Sequence, residues 1–211
     1  MNVKPNLRLL GVLASMALVV AACGGGSAES TATTAATTTT AEATTTTAAM
    51  TGMNVGPGCG AVPMDGEGSF AGMADDPAAT AASNNPVLST LVTAVSEAGL
   101  VDTLNGEGPF TIFAPTNDAF AAIPEADLDA ILANQELLTS ILTYHVVGGE
   151  SLDMASLAEA GSITTVNGAD LSIAAVGDLI EVNGVAATIC GNVQTANATV
   201  HIIDTVLVPA A

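Results

Sequence analysis

From Asp76 onward, apolar residues first recur at helical spacing and later crowd into short β-branched runs, with the change near Ser162. Leu88, Leu91, Val92 and Val95 share one face at three- and four-residue intervals, which predicts a helix that Gly99 ends. Asp76-Pro77 and Asn85-Pro86 each set an N-cap residue before a proline suited to a first helical turn. Residues 110–113 predict a short strand that breaks at Pro115, after which Thr116 caps a turn carrying Ala119 and Phe120. Further helices are expected over 127–132 and 135–142, the second facing Leu138, Ile141 and Leu142 inward and passing into a strand over 144–147.

Beyond Ser162, strands are expected over 163–166, 171–174, 179–182, 187–190 and 199–208. Asn167-Gly168 and Asn183-Gly184 separate them with hairpin chemistry, because Asn and Gly tolerate the positive φ of tight turns. The pattern is α+β, with helices first and a mainly antiparallel sheet last. Phe70, Phe110, Phe113, Phe120 and Tyr144 are its only aromatics, so the core must be built from Leu, Ile, Val and Ala.

The N-terminal region has a different texture. Lys4 and Arg8 precede a 12-residue apolar run and the small residues Val20-Ala21-Ala22 before Cys23, which reads as a secretory signal too short to span a bilayer. Val-Ala-Ala-Cys resembles the bacterial lipobox, whose cysteine thiol receives a lipid and becomes the new N-terminus; ordinary cleavage near Ala22 is the alternative. Residues 24–54 are Gly-, Thr- and Ala-rich with few large apolar side chains, so they cannot offset their ordering entropy and should form a tether. About 30 such residues span roughly 30 Å as a coil. The threonines either carry O-linked sugars or form a plain spacer. The expected organisation is a signal over 1–22, a lipidated Cys23 and tether over 23–54, and one domain over 55–211, exported to the outer face of the cell membrane or envelope.

Cys23, Cys59 and Cys190 make an odd number, and assigning Cys23 to lipid leaves one pair. In an oxidising compartment this predicts a Cys59–Cys190 disulfide, worth roughly 4–5 kcal/mol by loop entropy for about a hundred enclosed residues. A zinc site needs closely spaced Cys/His pairs, which the chain lacks.

Both basic residues lie in the signal, while all 21 acidic residues follow Cys23. The mature chain therefore carries a formal charge of −21 with no Lys or Arg. Nucleic acid, polyanions and anionic headgroups need basic contacts and are excluded as partners. Self-repulsion among the carboxylates predicts tolerance of mildly acidic or salty surroundings.

Catalytic motifs are missing. Gly66-Glu67-Gly68-Ser69-Phe70-Ala71-Gly72 does not fit a nucleophile elbow, and without Lys there is no P-loop. The carboxylate pairs Asp75-Asp76 and Asp127/Asp129 read as solvated faces or caps. No cofactor or metal is expected.

Residues 111–120 (Thr-Ile-Phe-Ala-Pro-Thr-Asn-Asp-Ala-Phe), Thr143-Tyr144-His145-Val146-Val147 and residues 201–209 (His-Ile-Ile-Asp-Thr-Val-Leu-Val-Pro) resemble, in order, the signature of the fasciclin (FAS1) domain. Gly56-Pro57-Gly58-Cys59, Ala81-Ala82-Ser83-Asn84-Asn85-Pro86, the run from Leu138 to Val147 and Thr195-Ala196-Asn197-Ala198-Thr199-Val200 resemble the mycobacterial secreted and surface-lipoprotein antigens of that family. The resemblance implies a wedge-shaped β-sheet core with helices packed on it. It also implies a surface-anchored module for cell adhesion or for contact with a protein or matrix ligand on other cells, expected to be monomeric. A cell-envelope enzyme or small-molecule-binding lipoprotein is the alternative; a deep pocket around His145 holding two or more carboxylates would favour it.

Tyr144-His145 matches the family's Tyr-His pair, linked in animal members to fold integrity and integrin contact. As a His at a helix-to-strand junction among aliphatics, His145 is expected to satisfy a buried hydrogen bond with Thr116 or Asn117. His201 is expected to face outward from the last strand. Asn197-Ala198-Thr199 fits a glycosylation sequon and is read as strand-entry chemistry.

Overall fold

The structure is a computed structural model that describes residues 53–209. The expected signal peptide, Cys23 and nearly all of the tether lie outside the described residues.

After a 3-10 turn over Pro57–Ala61, helices α1 (Phe70–Ala74), α2 (Ala78–Asn84), α3 (Ser89–Glu97) and α4 (Val101–Leu104) lead to strand β1 (Phe110–Pro115). Helices α5 (Asn117–Ala121), α6 (Glu125–Ala133) and α7 (Gln135–Tyr144) follow, then strand β2 (Val146–Gly148) and helix α8 (Met154–Ala160). Strands β3 (Ser162–Thr164), β4 (Asp170–Val176), β5 (Leu179–Val182), β6 (Ala186–Gln194) and β7 (Ala198–Ile203) complete an α+β domain.

The seven strands form one sheet in the order β2-β1-β7-β6-β5-β4-β3. Every neighbouring pair is antiparallel except β1 and β7, which run parallel from Phe110 opposite Ala198 to Pro115 opposite Ile203. The two outer edges approach each other where the Val166 N–H donates to the Val146 carbonyl at 2.7 Å. The sheet is thus mainly antiparallel, as its hairpin turns suggest. Second and third in that order, however, stands the parallel pair joining the first and last signature segments. Both strands of this pair are buried on both faces, which accounts for their continuous apolar runs in place of alternation.

Alternate residues of these strands feed two cores. Ile112, Ala114, Val200 and Ile202 pack with Leu91, Val95, Leu138 and Ile141 of the helices. Phe113 and Ile203 pack on the opposite side with Met154, Leu157, Leu171 and Ile180. Helix α8, which the sequence pattern does not single out, covers this second core with the fully buried Met154 and Leu157. Asp153 caps it, accepting from Ser156 N–H at 2.8 Å.

Side-chain caps set the starts of α1, α5, α7 and α8. Asn85 caps its turn as expected, accepting from Val87 N–H. Asp76 does not cap α2. The first amides of that helix instead donate to distant side chains: Ala78 N–H to Asn197 Oδ1, and Ala79 and Thr80 N–H to Asn105 Oδ1. Gly99, at φ 68°, turns the chain after α3 so that Leu100 N–H bonds the Val95 carbonyl. Asn183 and Gly184 both take positive φ in the β5–β6 turn, as such hairpins require.

Two strand expectations are corrected. Tyr144 closes α7 and is not in a strand: the His145 N–H still bonds the Leu142 carbonyl, so the helix runs until its last donors are satisfied, and β2 starts at Val146. The final strand ends at Ile203 rather than Val208, because Asp204 turns back to bond Ala187 N–H through its carboxylate.

Cys59 and Cys190 form a disulfide across 131 residues. It fastens the entering segment to β6, beside a bridge between Val55 and Gly191.

Candidate functional site

The signature residues meet at the junction of α5, α7 and the last two strands, and nearly all their polar atoms are engaged within the fold. Thr116 caps α5 through Ala119 N–H at 3.2 Å. Asn117 reaches back to the start of α3, where its amide donates to the Pro86 carbonyl and accepts from Thr90 N–H, both at 2.9 Å. The hydroxyl of Tyr144 receives Asn183 Nδ2–H at 2.8 Å and donates to the Asp170 carbonyl at 3.2 Å. It thereby joins the end of α7 to β4 and to the β5–β6 turn.

His145 does not pair with Thr116 or Asn117. Its Nδ1–H donates to the Ile141 carbonyl at 2.8 Å, one helical turn back, and its Nε2 accepts Leu207 N–H at 2.9 Å. The expected partners are already occupied as caps. The irregular segment after β7 brings Leu207 to the ring instead. Burial holds the His145 pKa near 4, below its ordinary 6.5, against an opposing contribution from the Ile141 hydrogen bond.

His201 is buried rather than outward-facing. Because β7 is covered on both sides, period-two alternation carries no exposure signal there, and only recognition of a central strand would have placed this residue inside. Its Nε2–H donates to the Leu152 carbonyl at 2.9 Å, and its Nδ1 accepts Asn192 N–H at 3.4 Å. The ring tilts against Phe113 with centroids 5.7 Å apart. Burial pushes the His201 pKa down to about 4 as well, opposed by the Leu152 bond and the nearby Asp153 charge.

The two histidines therefore hold opposite neutral tautomers, each with one nitrogen donating and the other accepting a backbone N–H. A second proton on either ring would set two donors face to face and disrupt a backbone hydrogen bond.

Sequence reasoning missed Asn192, fully buried at φ 62°, whose Oδ1 accepts Met154 N–H and whose Nδ2 donates to the Met53 carbonyl. Its positive φ and internal partners leave no pattern in one sequence. Asn197 is a larger hub than the sequon suggests. Besides accepting from Ala78 N–H, it donates to the Leu104 and Gly106 carbonyls at 2.9 and 2.7 Å.

A cavity of about 120 Å³ adjoins His145, lined by Leu91, Val95, Phe110, Ile112, Phe113 and Val146 among others, with no carboxylate. It thus lacks the convergent acids that would favour the enzyme alternative. Among the described residues no group of three or more His, Cys, Asp or Glu side chains is placed to hold a metal. No described helix is long and apolar enough to cross a membrane.

The Fasciclin domain family model matches residues 86–209, from the Asn117-bound turn through the strand carrying His201 to the end of the described chain. The chain belongs to the fasciclin family. Its fasciclin domain is 51% identical over 155 residues to the cell surface glycolipoprotein MPB83 of Mycobacterium bovis, covering 69% of this chain and 66% of the relative. The chain thus spans just under two thirds of that relative's length. Over 171 residues it is 46% identical to the immunogenic protein MPB70 of the same species, covering 77% of this chain and 86% of that one. Among solved structures, a fasciclin-domain pair from the insect cell adhesion molecule Fasciclin I superposes with a TM-score of 0.55 at 17% identity. That superposition covers 65% of this chain and 52% of the insect one, and it shows the shared fold.

Proposed function

We propose that this protein is an exported, surface-held interaction module. Its fasciclin domain is lifted from the membrane by the Thr/Ala-rich tether, anchored by lipid on Cys23, and engages a protein or matrix ligand on other cells. One observation carries this reading. The hydrogen-bonding groups of Tyr144, His145, His201 and Asn197 are taken up inside the fold, so what the domain offers is its surface, where carboxylates occur without any Lys or Arg. Relatives named as a cell surface glycolipoprotein and an immunogenic protein support a surface location, and the first of these names accords with a lipid on the lipobox-like Val-Ala-Ala-Cys. A negative surface favours ligands with basic patches.

The anchor and the adhesion are tested separately. Mass spectrometry of the protein purified from cell envelopes should find the N-terminus at a lipid-modified Cys23, and Cys23→Ala should release the domain to the medium. An unmodified thiol at position 23 removes the anchor. Adhesion is measured with the secreted Cys23→Ala form on cells and immobilised matrix proteins: saturable binding that weakens with added salt is expected, and no binding to any surface rejects the interaction role.

A further inference from the structure

A cavity of about 220 Å³ lies between helices α2, α3 and α4 and the sheet face formed by β1, β7 and β6. Protein interiors are ordinarily packed without voids of this size. The space arises because α2 turns Ala78, Ala81 and Ala82 toward it, where larger side chains would reach Leu91, Val193 and Ile202 on the far wall. No charged residue lines it.

One buried polar side chain faces into this apolar lining with unused hydrogen-bonding capacity. Asn85 is 1% exposed, and although its Oδ1 accepts Val87 N–H, its Nδ2 reaches only the Met73 sulfur at 3.6 Å. A thioether is a weak acceptor, and a buried amide donor favours an oxygen. Asn105, which is only half-buried, uses its Oδ1 to hold the first turn of α2.

We propose that this cavity binds a neutral aliphatic molecule bearing one hydrogen-bond-accepting oxygen, such as an alcohol or ketone. A cavity near 150 Å³ holds benzene, so this one suits about nine carbons. The ligand oxygen accepts from Asn85, and the chain fills the space that the alanines leave. Without a Lys or Arg in the domain, a carboxylate head has no counter-charge. The neighbouring cavity beside His145 shares Leu91, Val95, Leu104 and Ile112 as walls, which gives a longer chain a direction in which to extend. This site is separate from the adhesion reading, and either can fail without the other.

The purified full-length chain is titrated with 1-nonanol while methyl NMR resonances are followed. Saturable shifts are expected at Leu91, Val92 and Val193, with none at Leu157 or Leu171 of the other core. Nonanoate at pH 7 should bind about tenfold or more weakly, since its charge would be desolvated unpaired. Ala82→Leu, and independently Ala79→Leu, fill the space and should abolish the saturable shifts while leaving the melting temperature unchanged or raised. Vesicles of long-chain phosphatidylcholine should leave the same methyls unmoved, which separates a small free ligand from a membrane lipid. The proposal is overturned by non-saturable nonanol shifts, by equal binding of nonanoate, by undiminished binding to both folded variants, or by vesicles moving the methyls where nonanol does not.

Discussion

Leu207 donates its backbone N–H to the Nε2 of His145 at 2.9 Å, joining the last signature segment to the end of α7 across 62 residues of sequence. The same imidazole holds the Ile141 carbonyl. The Tyr-His pair therefore acts as a brace, with Tyr144 tying α7 to one hairpin and His145 tying it to the closing segment.

Replacing the brace should be costly. His145→Ala removes buried ring volume and leaves the Leu207 N–H without its acceptor, for an expected loss of about 3 kcal/mol. Tyr144→Phe keeps the ring and loses only the hydroxyl, for about 1 kcal/mol. Urea unfolding at pH 7 measures both. A His145→Ala domain as stable as the parent, with loss of ligand binding alone, would make the residue a contact instead of a brace.

Stability should fall on mild acidification. Both histidines have pKa values lowered from 6.5 to about 4 in the folded state, so between these limits the unfolded chain binds more protons. Their stabilising contribution is complete above about pH 6.5 and is lost as pH falls toward 4, by about 2 kcal/mol for each histidine at pH 5. This opposes the acid tolerance expected from carboxylate repulsion, which treated the domain as a charged surface and overlooked two buried bases. Urea midpoints at pH 7 and pH 5 decide between them, and an equal or higher midpoint at pH 5 contradicts the buried-base account.

Asn197 should tolerate neither truncation nor glycosylation. Asn197→Ala frees Ala78 N–H and leaves the Leu104 and Gly106 carbonyls unpaired, with an expected loss of about 2–4 kcal/mol. Asn197→Asp should be as damaging, because its carboxylate keeps the acceptor but confronts those carbonyls. Thermal melts of both variants check this, and an unchanged Asp variant would contradict the donor role.

The disulfide closes a loop of 131 residues, for which chain entropy predicts up to about 5 kcal/mol. A Cys59→Ala, Cys190→Ala double variant should fold with a lower urea midpoint. Val55 and its bridge to Gly191 should also lose hydrogen-exchange protection before the rest of the sheet.

Local rules made much of this fold legible. Leu88 to Gly99, the Asn85 cap and the Asn183-Gly184 turn are decided by neighbours within one turn of chain, and the cysteine count paired Cys59 with Cys190. What the sequence hid depends on distant partners. The parallel contact of β1 with β7 buries His201 although its neighbours read as an ordinary strand end. The capping of α2 by Asn105 and Asn197 supersedes the nearer Asp76 because those side chains arrive from other elements. Signature order points to Thr116 and Asn117 as partners for His145, but each is fixed to a helix start. The α2-side cavity comes from a run of alanines that, read as sequence, signals only a helix.

The central claim is that His145 and His201 are buried, neutral and locked in opposite tautomers by the backbone. Long-range nitrogen–proton NMR of the histidine rings, followed from pH 7.5 to pH 5, tests this directly. The account predicts an Nδ1–H signature for His145, an Nε2–H signature for His201 and no titration of either ring down to about pH 5. A ring that titrates near pH 6.5, or that averages both tautomers, would contradict it.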